Sequence, residues 1–186
     1  MSKLTLDKAK EILKKHTTEE HLLIHAAAVS AAMGAMADYF KADKDYWQAI
    51  GYIHDVDYEK FPEEHCKHVR ELLEPEGVDE EDIKTIISHG YGICTDEVEP
   101  TSDLEKSLFA VDELTGIVHA YALMRPENME GMSVKSLKKK FKDKRFAAGC
   151  NRDIITGGVE KLGLDLALVM QCCIDGMTEH KTELGF

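Results

Sequence analysis

Strand signals are nearly missing from this sequence. No run of alternating β-branched residues is bounded by turn residues, which excludes a sandwich or barrel. Long apolar runs are missing too. The most apolar stretch, residues 22–37, is shorter than the about 20 residues a membrane span needs, and His25, Ser30 and Gly34 interrupt it. Positive charge is scarce: 23 Lys and Arg stand against 35 Asp and Glu, for a net charge of −12. Non-specific nucleic-acid binding needs a basic footprint, and an anionic membrane repels such a surface, so neither is expected as a partner. The N-terminus lacks an apolar signal region. The five cysteines form no CxxC pair and are odd in number, so neither a disulfide framework nor a zinc ribbon is expected, and a cytoplasmic location fits.

Several catalytic motifs are absent as well. There is no Walker-type loop and no GxSxG. Gly90-Tyr91-Gly92 lacks the third glycine of a dinucleotide fingerprint. His21 and His25 have HExxH spacing, but Leu22 stands where the glutamate base is required.

What is there is helical periodicity, in a chain whose 186 residues suit one domain. Helices are expected over residues 6–16 with Thr5 as N-cap, 18–40, 45–55, 62–73 and 79–89. Ser102 and Glu105 form a capping box for a long helix reaching residue 124, and shorter helices follow near 133–140, 153–162 and 164–180. The fold class is therefore all-α. The loop 90–101 and the stretch 125–132 are the expected mobile segments.

Nine histidines in an acidic chain are the compositional oddity. His54-Asp55 ends an apolar helical segment, and such a pair is costly to bury unless something compensates it. A divalent ion would, because imidazole and carboxylate are its ligands. Asp112 sits among Phe109, Ala110, Val111 and Leu114, and His25 lies on an alanine-rich face. Each residue alone has a plain structural reading, a histidine bonded to a carbonyl or an aspartate in an ion pair. Together they are the material from which helical bundles build metal sites.

The pieces Ile24-His25-Ala26, Tyr52-Ile53-His54-Asp55-Val56-Asp57 and Leu104-Glu105-Lys106-Ser107-Leu108-Phe109-Ala110-Val111-Asp112 occur in the order His, His-Asp, Asp. That order resembles the HD superfamily of metal-dependent phosphohydrolases, over residues 19–125. Binuclear members add a histidine in a segment like HPxxGAEIL. His65-Cys66-Lys67-His68-Val69 aligns with it, with Cys66 and Val69 in place of the proline and glycine, and His68 is the competing ligand. A further histidine ends the next helix, as His89 does.

The resemblance implies a single HD-type domain over 1–186, with its core at 19–125 and a C-terminal helical extension at 126–186. It implies six ligands, His25, His54, Asp55, His65, His89 and Asp112, for one or two divalent ions (Mn, Fe, Mg, Zn, Co or Ni). Asp55 would bridge, and a metal-activated water would hydrolyse a small phosphorylated substrate, a nucleotide by expectation. Lys60 follows the His-Asp pair and is the expected contact to a phosphate oxygen, a solvated lysine being the other reading. Two further classes share these residues: an HD-type mixed-valence di-iron oxygenase and a non-catalytic HD-like binding module. The basic run Lys135, Lys138, Lys139, Lys140, Lys142, Lys144 and Arg145 either steers an anionic substrate or is a solvated face.

Overall fold

A computed structural model describes residues 3–186. Nine α-helices form among the described residues, joined by short 3₁₀ turns, with no β-strand beyond a single bridge at Tyr91 and Thr95. They are α1 (Leu6–His16), α2 (Glu20–Phe40), α3 (Lys44–Ile53), α4 (Val69–Leu73), α5 (Glu80–Ile87), α6 (Asp103–Met124), α7 (Val134–Lys142), α8 (Arg152–Leu162) and α9 (Leu166–Glu179).

The centre of the molecule is α2. Ala26, Ala28, Ala31, Ala32 and Ala37 are all buried on it, and their small side chains admit α3, α6 and α9 close to its backbone. A helix apolar on most faces is a core helix. This one is also the single helix long and apolar enough to cross a membrane among the described residues, but most of it is buried by its neighbours. Gly51 sets the α2–α3 approach: a Cβ there would lie 2.9 Å from Met33 Cγ and 3.1 Å from both Ser30 Cα and Val29 O.

Local chemistry explains most helix boundaries. Thr5 accepts the Lys8 amide, and the Ser102–Glu105 capping box opens α6. α2 begins two residues later than its periodicity suggests, because the Thr18 and Glu19 amides donate to the Glu59 carboxylate at 2.8 and 3.0 Å. The helix expected over residues 62–73 does not form as one piece. A 3₁₀ turn at Pro62–Glu64 gives way to an irregular bend, and only Val69–Leu73 is α-helical. His65 is extended there and Cys66 is left-handed at φ 71°, which no helix tolerates.

The stretch 125–132, expected to be mobile, is pinned. The Arg125 guanidinium donates to the Asn128 and Glu130 carbonyls, and Met129 is buried. The C-terminal helices join the same core: α8 packs on α6, and α9 packs on α2. Arg152 organises the turn between α7 and α8 by donating to the carbonyls of Phe141, Ala147 and Cys150 at 2.7–3.2 Å. Cys173 is buried in this core and Cys172 packs beside it, so the pair is a packing element.

Candidate metal centre

Three helices converge on one point. α3 delivers His54 as the residue after its last turn, and the backbone then tightens through Val56 N–H to Ile53 O and Tyr58 N–H to Asp55 O, both at 3.0 Å. α2 brings His25 and α6 brings Asp112. His25 Nε2 lies 3.3 Å from Asp55 Oδ2 and 3.0 Å from Asp112 Oδ1. His54 Nε2 lies 3.2 and 3.3 Å from the same two oxygens. One potential ligand atom from each of His25, His54, Asp55 and Asp112 lies within 4.8 Å of all the others.

The other carboxylate oxygen of Asp55 faces a second group. Asp55 Oδ1 is 3.1 Å from His65 Nε2 and 3.4 Å from His89 Nε2, and those two nitrogens are 3.0 Å apart. His65, Cys66 and His89 form a second cluster of potential ligand atoms within 4.8 Å. Asp55 therefore stands between the two, one oxygen toward each.

The ring orientations test whether a cation fits. His54 Nδ1–H donates to Gly51 O at 2.7 Å, His89 Nδ1–H to Ile86 O at 2.5 Å, and His65 Nδ1–H to Asp57 Oδ1 at 2.8 Å. Each neutral ring then turns a bare Nε2 lone pair inward, toward carboxylate oxygens or another lone pair. Acceptor facing acceptor at these distances is repulsive unless positive charge lies between them. Protons or a metal ion supply it, and a second ring nitrogen tied to a carbonyl or carboxylate is the usual support of a metal-bound histidine. The donor set fits a divalent ion on both sides of Asp55.

The electrostatics agree. Burial pulls the His25 pKa down, but hydrogen bonds to Asp112 and Asp55 outweigh it and leave it at about 9. Burial likewise opposes the charge on His65, and Asp55 and Asp57 raise it to about 10. His54 is raised well above its ordinary value, the charges of Asp55 and Asp112 overcoming its complete burial. Burial favours the neutral form of Asp55 and Asp112, yet the His54 charge and the surrounding histidine bonds hold both well below the carboxylate range. The cage selects positive charge at its centre.

All six residues expected as ligands meet here, and the bend at residues 65–68 separates His65 from His68. His68 turns away from the cluster, stacked on the Phe61 ring and held between Glu64 at 3.1 Å and Glu71 at 2.9 Å. Lys60 is the exception among the expected site residues. It is exposed, its ammonium lies 2.8 Å from His16 Nδ1, and it does not line the cavity over the cluster. The turn from Asp57 to Phe61 directs Lys60 toward α1 and away from the cavity lining.

Two features were missed at the level of sequence. Asp57 is fully buried, and its second oxygen accepts the His68 amide at 3.2 Å, so it fixes both the His65 ring and the bend that presents it. The apolar setting that singles out Asp112 is absent around Asp57, whose sequence neighbours include His54, Asp55, Glu59 and Lys60, so its burial carries no local signal. The other is the outer wall. A cavity of about 380 Å³ opens over the cluster, bounded by Leu22, Tyr58, Ile93 and Phe109 and closed by Cys150 and Ile154 from the C-terminal helices. No lysine or arginine lines it.

Residues 22–117, just over half of the chain, match the family model of the HD domain. No curated protein and no solved structure matches the chain.

Proposed function

The chain belongs to the HD domain family, and from that premise we propose that it is a metal-dependent phosphohydrolase acting on a small phosphate ester in a cytoplasmic setting. The observation that carries this reading is Asp55, whose two oxygens face two separate sets of histidine nitrogens beneath one open cavity. His25, His54, Asp55 and Asp112 would hold one divalent ion, and Asp55, His65 and His89 the other. Such ions, when bound, lower the pKa of a coordinated water and neutralise phosphoryl oxygens.

The protein's own groups prepare that chemistry. Gly51 O, Ile86 O and Asp57 hold three imidazoles in the tautomer that leaves Nε2 free. Burial of His54 and His89 keeps bulk water from competing for the same positions. Leu22, Ile93, Phe109 and Ile154 offer apolar surface to the body of the substrate, and Tyr58, edge-on to the His65 ring, offers an aromatic face. The lining offers no lysine or arginine to a second or third phosphate. The reading therefore favours a monoester, a nucleoside monophosphate among them, over a triphosphate.

The same cation-free lining is the one observation that favours a second reading, an HD-type di-iron oxygenase acting on an uncharged molecule. Metal identity separates the two. The test is phosphate release from a panel of monoesters and nucleotides with Mn, Fe, Mg, Zn, Co and Ni supplied in turn. Activity lost in H54A/D55A together with bound metal supports the phosphohydrolase. A protein that binds metal yet releases no phosphate from any member of the panel would overturn it.

A further inference from the structure

The two halves of the cluster are not alike. The His25 side contains two histidines and two carboxylates, whereas the His65 side contains a thiol. Cys66 Sγ is 3.9 Å from His89 Nε2, is almost completely buried, and joins His65 and His89 in a set of ligand atoms within 4.8 Å of one another. We propose that Cys66 is a thiolate ligand on the His65–His89 side, making that position selective for a thiophilic ion such as zinc, cobalt or ferrous iron over magnesium or manganese. The proposal rests on the metal-dependent reading above and adds to it a ligand and a metal class.

Backbone strain points the same way. Cys66 has φ 71°, a left-handed conformation that non-glycine residues adopt only at a cost and that recurs at functional sites. That conformation breaks the helix expected at 62–73 and places Cys66 and His65 together against His89. Gly90 then makes room. A Cβ at Gly90 would lie only 2.6 Å from Cys66 Sγ and 2.6 Å from Cys94 Sγ, so any larger residue would push the sulfur away.

Cys94 is the other sulfur nearby, across Gly90, but it is outside the set whose atoms come within 4.8 Å. It is a packing neighbour of Cys66 across Gly90. On loading, the metal–sulfur bond replaces the S–H bond, and the proton leaves to solvent. Thiolate sulfur selects zinc, cobalt and iron, while magnesium and manganese prefer oxygen.

The experiment loads the full-length chain with Co(II) and records its absorption. The expected result is a near-ultraviolet thiolate-to-cobalt charge-transfer band in the parent and in C94S, absent from both C66S and C66A. Loss of Cys66 should also weaken one of the two bound equivalents by at least about tenfold, the lower end of what disturbing a metal site costs, and narrow the preference for Zn over Mn. Circular dichroism establishes that each variant folds. Cobalt bound without the band, or a band lost in C94S and kept in C66S, would overturn the thiolate assignment and leave the phosphohydrolase reading standing. No cobalt bound at all would overturn the thiolate assignment, and no binding of any of the six divalent ions would overturn the phosphohydrolase reading with it.

Discussion

Asp57 shows how much one buried carboxylate does at the scale of a residue. It accepts from the His65 ring with one oxygen and from the His68 amide with the other, and no lysine or arginine bonds it. Asp57→Ala should free the His65 ring and loosen the 65–68 bend together. Loss of such outer support costs about 10–100-fold in metal affinity. Calorimetric titration should show that loss in one bound equivalent only, with the equivalent held by His25, His54 and Asp112 nearly unchanged. Equal weakening of both would mean that Asp57 supports the fold and not one site. His65 was favoured over His68 on alignment with a pattern, and the two are three positions apart. Only the irregular bend, with Cys66 in a left-handed conformation, separates their surroundings.

At the scale of elements, the site is an intersection of helix axes. His25 and His54 meet because α2 and α3 approach within the space of a missing side chain at Gly51, whose carbonyl also holds the His54 ring. Gly51→Ala would place a methyl group 3.1 Å from backbone atoms of α2, where only Met33 is free to move. Overpacking of this kind costs typically about 1–3 kcal/mol. The expected outcome is a fall in stability of that size by denaturant titration, together with weaker metal binding as His54 is displaced from His25. Unchanged stability and affinity would show that α3 slides freely on α2. The long helices α2 and α6 were legible in the sequence because their apolar faces repeat and α6 carries a capping box. The apolar spacing of 62–73 is helical, but its actual course follows the bonds that the His65 ring and the His68 amide make to Asp57.

At the scale of the whole molecule, charge dominates. His25 and His65 have pKa values raised to about 9 and about 10 from 6.5, so in the metal-free protein they stabilise the fold when protonated. That contribution is complete below about pH 6.5 and is lost as pH rises through about 9 to 10. The metal-free melting temperature should therefore fall across this window. A divalent ion replaces the protons, so the loaded protein should lose most of this dependence, and a chelator should lower the melting temperature more at pH 9 than at pH 6. A chelator effect of equal size at both values would contradict proton–metal competition at the histidines.

The basic face of α7, with Lys135, Lys138 and Lys139, contributes nothing to the cavity lining. Its influence reaches the site only as a long-range field, screened over about 8 Å at physiological ionic strength. Replacing these three lysines with alanine should leave kcat unchanged and alter kcat/KM by less than about twofold at physiological salt. A large drop in kcat would place this face in direct contact with substrate.

The sequence by itself determined the helical class, because apolar faces repeat along it, and it marked His25, His54, Asp55 and Asp112 as polar residues in apolar settings, which the resemblance to the HD superfamily reads as ligands. Only the tertiary structure decided that His65 faces the cluster while His68 stacks on Phe61 away from it, that Lys60 turns to His16, and that Cys150 and Ile154 wall the cavity. These outcomes lie in turns and in contacts between distant segments. A turn has no periodicity to read, and its course is set by whichever buried carboxylate or carbonyl must be satisfied once the helices have packed.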